Sequence, residues 1–326
     1  MMVTIKDVAK QAGVSVATVS RILNNLPGYS EKTKQRVEQV IESIGYQPNA
    51  VARGLINRET KTIGVLVPDV SQLFANEVLA GVEERAHELG YTVMICKTNY
   101  RTRDYLQTLY EKRVDGIIMV SGTITPDEYK QIEMMKVPVV LVATQTNYPI
   151  RFLKVDDYQA SYDAAAYLIK KGHSRIGMIA GTKEDAVATI PRVKGFTDAL
   201  NDAGIKVTNE MVTHGDYHFK SGIECMDQLL SNDPSITGVF CASDEMAAGA
   251  LSFLYKQGIR VPEKLSVIGF DNTPTAEKAI PPLTTVAQPL YEMGRSSVQL
   301  LLDPYVIVNQ IFPHRIVERD TVRSLK

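Results

Sequence analysis

Two adjacent carboxylates, Asp156 and Asp157, are a candidate for a catalytic acid–base pair in this 326-residue chain. At a strand–helix junction such a pair reads as an N-cap beside a solvated charge. Five scattered histidines show no ligand spacing. Cys96, Cys225 and Cys241 are far apart and odd in number. They fit buried thiols in a reducing cytoplasm better than disulfides or a metal site. The chain has neither a phosphate-binding glycine loop nor a Gly-x-Ser-x-Gly elbow. The residue types of catalysis are present without its arrangements, so the sequence speaks against an enzyme.

Charge is better organised. The net charge is −1, but through Thr60 eight basic side chains stand against five acidic ones, leaving the head at +3 and the remainder at −4. A mildly basic head on an acidic body suits a phosphate-facing end. With 44% hydrophobic and 22% charged residues and no low-complexity tract, the chain reads as folded and long enough for more than one domain. Lys6, Asp7 and Lys10 interrupt any early apolar run, which argues against a signal peptide. No apolar stretch approaches a membrane span. The expected location is cytoplasmic, with no membrane partner.

Stepping along the head, Thr4 caps a predicted helix through Gln11, Gly13 allows a tight turn, and Ser15 caps a short helix through Leu23. Ser30 starts a third, with Val37, Val40, Ile41 and Ile44 at helical spacing, and Gly45 ends it. Ala9 is small enough for two helices to approach, Val19 and Ile22 hold the second helix to the first, and no proline interrupts Ile5 to Leu23. That combination predicts a helix-turn-helix, and a helix-turn-helix on a basic head predicts DNA binding. Gln47-Pro48-Asn49 marks a boundary. A helix from Asn49 to Leu55 would be too short to be stable alone in water.

From Thr62 the texture changes to strand, turn and helix, repeated. Strands are expected at 63–67, 92–96, 116–120, 137–142, 175–180, 238–241 and 265–270, with helices between them. Such alternation means βαβ units and parallel sheets. The pattern runs twice, before and after about Gln159, which predicts two doubly wound lobes with a cleft between them.

The segments Thr4–Ala9, Gly13–Ser15, Thr18–Arg21 and Tyr46–Leu55 resemble the head and hinge of the LacI/GalR family of bacterial transcription regulators. The resemblance continues through Ile63–Val65, Arg113–Ile118, Lys171–His173, Ser243–Ala247, Ser266–Asn272, Pro282–Val286 and Arg315–Arg319. It implies an α/β fold in three parts: a helix-turn-helix domain over 1–47, a hinge helix and linker over 48–60, and two lobes of periplasmic-binding-protein type over 61–326. The first lobe is expected at about 61–159 plus 291–320, and the second at about 160–290.

By this resemblance the helix from Ser15 enters the major groove. Thr4, Ser15 and Thr18 fall among the DNA-facing positions, where hydroxyls suit phosphate. Val16 and Ala17 occupy base-reading positions and, being apolar, suit thymine methyls, while Arg21 suits guanine. Asn49, Ala52 and Leu55 belong to the implied hinge helix, which enters the minor groove beside its twin from a second subunit. Leu55 is the apolar wedge, and an easily kinked central CG is expected in the operator. Read without the family, Leu55 would be an ordinary buried leucine.

In the lobes, the family's pocket positions map onto Phe74, Arg192, Tyr217, Ser243, Asp271 and Gln288. Arg and Asp fork onto neighbouring sugar hydroxyls and an aromatic face covers the apolar side, with no Trp in the chain to serve. The bland alternatives are a structural ion pair for Arg192 and a turn start for Asp271. No cofactor is implied; a small-molecule effector, a carbohydrate or related metabolite, is. The 182–190 loop lacks the Arg and Thr with which a purine-binding member holds its base, which argues against a purine. One branch of the family binds a phosphorylated carrier protein through a segment opening Tyr-Asp-Ile-Gly and continuing to an Arg. Tyr291-Glu292-Met293-Gly294 and Gln299 depart from it, which argues against a phosphocarrier protein as partner. Only six residues follow Asp320, too few for a tetramer zipper, so the expected assembly is a homodimer. A solute-binding protein for transport is the competing class, disfavoured by the basic head. Leu55→Ala is expected to preserve folding and dimerisation while weakening operator binding far more than non-specific binding; equal operator affinities in a gel-shift titration would reject the wedge role.

Overall fold

The structure, a computed structural model, describes residues 3–24, 26–46, 59–98, 101–303, 305 and 308–326. The chain divides into two units, 1–60 and 61–326. In the first, α1 (Ile5–Ala12), α2 (Val16–Leu23) and α3 (Glu31–Ile44) bury Val8, Ala9, Ala12, Val19, Ile22 and Val37 against one another. Capping sets the helix limits. The Asp7 carboxylate accepts from the Thr4 N–H and hydroxyl at 2.9 and 2.7 Å. Ser15 Oγ accepts from the Thr18 N–H at 3.1 Å, and Ser30 Oγ from the Thr33 N–H at 3.2 Å. Gly13 and Gly45 both end their helices at φ 63°, the left-handed conformation that a β-carbon disfavours.

The second unit holds two six-stranded sheets. The first has the order β11-β5-β4-β3-β1-β2, where β1 is Thr62–Val67, β2 Thr92–Lys97, β3 Gly116–Val120, β4 Val139–Val142, β5 Arg151–Val155 and β11 Gln310–Phe312. The second has the order β12-β10-β9-β8-β6-β7, where β6 is Ile176–Ala180, β7 Val212–His214, β8 Gly238–Cys241, β9 Ser266–Asp271, β10 Thr284–Ala287 and β12 Arg315–Val317. All pairings are parallel except β10 with β12. The helices between strands are α4 (Leu73–Glu88), α5 (Thr102–Glu111), α6 (Pro126–Met135), α7 (Asp157–Lys170), α8 (Thr189–Asp202), α9 (Phe219–Asn232), α10 (Asp244–Lys256), α11 (Pro274–Lys278) and α12 (Leu290–Leu302). β1, β3, β4, β6, β8 and β9 are buried almost throughout, as expected of parallel strands covered on both faces. No helix among the described residues is long and apolar enough to cross a membrane.

The lobe limits differ from the expected ones. β12 pairs antiparallel with β10, so 315–320 lies in the second lobe rather than the first. The tail stays there: the Thr321 hydroxyl donates to the Val267 carbonyl, and the Leu325 N–H to the Lys171 carbonyl. α7 packs along α8, so the crossing falls at 155–157, just before the expected 159. The chain crosses between the sheets in the two residues between β11 and β12, and the sequence offered no reason to break the segment at His314.

Helices flanking each sheet approach until only glycine fits. A β-carbon at Gly294 on α12 would overlap the Val78 carbonyl oxygen of α4, and one at Gly81 would overlap the Tyr291 carbonyl oxygen. Gly222 and Gly249 stand in the same relation between α9 and α10. Helix propensity alone favours alanine by about 1 kcal/mol. We nevertheless expect Gly294→Ala to destabilise the protein by about 2 kcal/mol, because the backbones must part. Urea denaturation reads the sign, and a stabilised variant would contradict this packing.

Candidate functional site

A strand's carboxyl end is where the chain leaves the sheet, so side chains from separate strands meet there. The carboxyl ends of both sheets converge on one cleft. From the first lobe come Gln72, Leu73 and Phe74 at the start of α4, Ser121 after β3, Ala143 after β4, and Lys154 and Val155 at the end of β5. Asp157 opens α7, Asp185 and Ala188 precede α8, and Arg192 lies on it. Tyr217 follows β7, Ser243 caps α10, Asp271 ends β9, and Gln288 follows β10. About 690 Å³ between them is free of protein atoms, part of it open to solvent. A cleft beyond the carboxyl ends of parallel strands is where small molecules bind in such folds. Four of the lining residues hold left-handed φ without being glycine: Ser121 at 60°, Ala143 at 55°, Tyr217 at 68° and Asp271 at 109°. Such strain persists only where the surroundings enforce it.

Three charges occupy the base of the cleft. Arg192 Nε and Nη2 donate to Asp157 Oδ1 at 2.9 and 2.8 Å, and Nη1 donates to the Ala242 carbonyl at 2.8 Å. The guanidinium carbon lies 3.8 Å from the centre of the Phe270 ring, a cation–π contact. Lys154 Nζ meets Asp157 Oδ2 at 3.0 Å. All three residues are only 4–6% exposed. Asp271 accepts from Gln288 Nε2 at 2.7 Å. Burial drives its carboxyl well above the ordinary range; Arg192 opposes the shift and Asp244 adds to it. Asp244, fully buried, accepts from the Thr273 N–H at 2.7 Å and the Thr285 hydroxyl at 2.6 Å, and burial lifts it to about 7.

The Tyr217 hydroxyl donates to Asp185 Oδ2 at 2.9 Å and lies 2.7 Å from the Thr189 hydroxyl. Asp185 Oδ1 accepts from the Val187 and Ala188 N–H groups. The ring fills the space that a β-carbon on Gly181 would need. The phenol is thus spent within the wall, and Tyr217 offers ring carbons to the cavity.

In the first unit, α2 buries Val19 and Ile22 and turns Val16, Ala17 and Arg21 outward; Val16 is 40% exposed. Ala17 and Arg21, four residues apart, share one helix face. The Ser15 and Thr18 hydroxyls lie 2.9 Å apart at the start of the helix. The Arg21 guanidinium rests beside Gly28, whose φ is 113° and whose missing β-carbon leaves it room.

Residues 4–49 match the bacterial regulatory proteins of the lacI family, and residues 60–322 match the periplasmic binding proteins and sugar binding domain of the LacI family. The chain belongs to the LacI family. It is 37% identical over 332 residues to catabolite control protein A of Priestia megaterium, covering 99% of this chain and all of that protein. Its structure superposes with a TM-score of 0.90 on the lac repressor dimer bound to operator and the anti-inducer ONPF, at 28% identity, covering 99% of this chain and 100% of that one. A LacI family regulator from Enterococcus faecium with bound ribose superposes with a TM-score of 0.75 at 28% identity, covering 81% and 100%. This LacI-family chain is a DNA-binding transcriptional regulator and not an enzyme.

All six side chains singled out for the effector, Phe74, Arg192, Tyr217, Ser243, Asp271 and Gln288, line the one cleft. Asn49, Ala52 and Leu55 lie outside the described residues. The Asp156–Asp157 pair divides differently from its sequence reading. Asp156 is the N-cap, accepting from the Gln159 N–H at 3.0 Å. Asp157 is no solvated charge but the buried partner of two cations, because α7 starts at the bottom of the cleft. Lys154 and Asp185 escaped sequence reasoning altogether. Phe152-Leu153-Lys154-Val155 is too short and mixed a run to read as a buried strand, and nothing local shows that its lysine points inward. We expect Arg192→Ala to cost about 3 kcal/mol in urea unfolding, the low end for a broken buried pair because Lys154 still answers Asp157. Wild-type stability would show that the ion pair is not buried in solution.

Proposed function

We propose that this regulator is a repressor that binds a pseudopalindromic operator as a homodimer, under the control of a small carbohydrate or related metabolite in the interlobe cleft. The observation that carries the reading is the convergence of Arg192, Asp271, Ser243, Gln288, Phe74 and Tyr217 on one cavity at the carboxyl ends of both sheets. Forked charged groups with an apolar face beside them suit a sugar ring. The outward face of α2 supports the assignment of Val16, Ala17 and Arg21 to base contacts and of Ser15 and Thr18 to phosphate, while the DNA-facing role of Thr4 rests on the resemblance. The hinge roles of Asn49, Ala52 and Leu55 rest on the resemblance alone.

Dimerisation is supported by a shallow apolar hollow on the second lobe, edged by Leu251, Tyr255, Ile259, Val261, Ile280 and Pro281. Tyr255 and Ile280 are 86% and 92% exposed. A second copy related by a twofold axis would cover the same patch on both subunits and present two heads to two half-sites. A phosphocarrier partner is disfavoured at the face of α4 and α12. There Arg295 is paired with Glu84 and Glu88, and Arg85 with Glu88 and Gln299, so neither arginine is free for a phosphate.

Selection from a random duplex library should return a palindrome with a central CG, bound with an affinity that falls steeply with salt. A sugar that stabilises the protein should change that affinity by about tenfold and be recovered intact. Recovery of no palindrome, or turnover of the sugar, would overturn the proposal.

A further inference from the structure

The charges around the cleft are unequal. Two cations line it, Lys154 and Arg192, against four acids, Asp157, Asp185, Glu245 and Asp271. Neither cation is free: both are held by the Asp157 carboxylate, and Arg192 also by the Ala242 carbonyl. The triad therefore contributes one positive charge; Asp185 and Glu245 already outweigh it, and Asp271 is the third acid around it. Of these, Glu245 accepts from the Thr275 hydroxyl at 2.6 Å, Asp185 holds Tyr217 and two backbone N–H groups, and Asp271 holds Gln288.

Helix N-termini ordinarily attract anions. At the cleft the start of α4 carries no cap bond and no acid in its first turn, but two others are answered by the chain itself. Asp185 takes the N–H groups just ahead of α8, and α10 carries Asp244 and Glu245 in its first turn. A phosphate or carboxylate entering the cleft would lose its hydration against a wall that is net negative and whose cations are already bonded. Uncharged hydroxyls lose far less and find donors and acceptors at Arg192, Ser243, Asp271 and Gln288.

We propose that the effector is an uncharged polyhydroxylated compound and that the cleft discriminates against its phosphorylated counterpart. This rests on the reading of the cleft as the effector site. The test is a thermal-shift and calorimetric titration of the full chain with a panel of neutral sugars and polyols, among them glucose, ribose and cellobiose, each beside its phosphate ester. The expected result is a neutral member that stabilises the protein, with its ester binding at least about tenfold more weakly. An ester that binds as well as or better than its parent overturns the inference and leaves the effector reading intact. A panel in which nothing binds rejects the effector reading, and the inference with it. Asp157→Asn frees both cations and should narrow the preference for the neutral member. Glu245→Gln, at a half-buried and less central position, should narrow it more mildly and serves if the first variant fails to fold. An unchanged preference in a folded variant would show that the charges do not set it.

Discussion

Three ionised side chains meet at Asp157 with almost no contact with water, and removing a guanidinium, an ammonium and a carboxylate from solvent is costly unless each is answered. Both Asp157 oxygens are used, one by the fork of Arg192 and the other by Lys154. The partners come from different places. Lys154 ends the fifth strand of the first sheet, Asp157 opens the helix that enters the second lobe, and Arg192 stands on the next helix of that lobe. One carboxylate therefore ties the chain's crossing between lobes to the wall of the cleft. A ligand that engages the remaining Arg192 N–H groups acts on the same junction. In a two-lobed regulator this is a physically short route from the cleft to the relative position of the lobes, which is the kind of two-state element that allostery requires.

The cleft around that triad is made by backbone that ordinary residues avoid. Ser121, Ala143, Tyr217 and Asp271 all sit at strand ends in left-handed conformations. The buried strands behind them fix where each chain must leave the sheet, and the glycine-tight helix pairs fix the sheets' flanks. Local strain at the rim is sustained by packing that is not local. Asp271 combines the two: a strained backbone, a buried carboxyl raised far above its ordinary value, and a second buried acid, Asp244, held close behind by Thr273 and Thr285.

Much of this was legible in the sequence, for reasons that differ along the chain. The three helices of the head announced themselves through Thr4, Ser15, Ser30, Gly13 and Gly45, each of which acts on its own neighbours. The strands at 116–120, 238–241 and 265–270 were visible because a fully buried parallel strand is a continuous apolar run. β7 and β12, three residues each, and β5 with its inward lysine carry no such run. The start of α4 at Leu73 was hidden because Ser71-Gln72 offers only a weak cap; Gln72 makes no side-chain cap bond. Arg192 and Asp271 were reached through resemblance. Asp157 was misjudged because its burial depends on where a helix 35 residues away lies.

The same contrast separates the two units energetically. Among the described residues the head has a core of six buried side chains, so its stability leans on caps, each worth about 1 kcal/mol. Those caps use Ser15 and Thr18, the hydroxyls assigned to phosphate. A hydroxyl both donates and accepts, so Ser15 can keep its bond from the Thr18 N–H and still donate outward. Binding then adds a contact without removing the cap. The body has no such economy. Its glycine-tight helix pairs and buried acids are satisfied by residues far apart in sequence, and a change at one of them is felt across a sheet. On the outer face of α2, Val16 and Ala17 support nothing beneath them, so substitutions there cost the head little, whereas substitutions in the cleft must preserve the bonds that also hold the lobes.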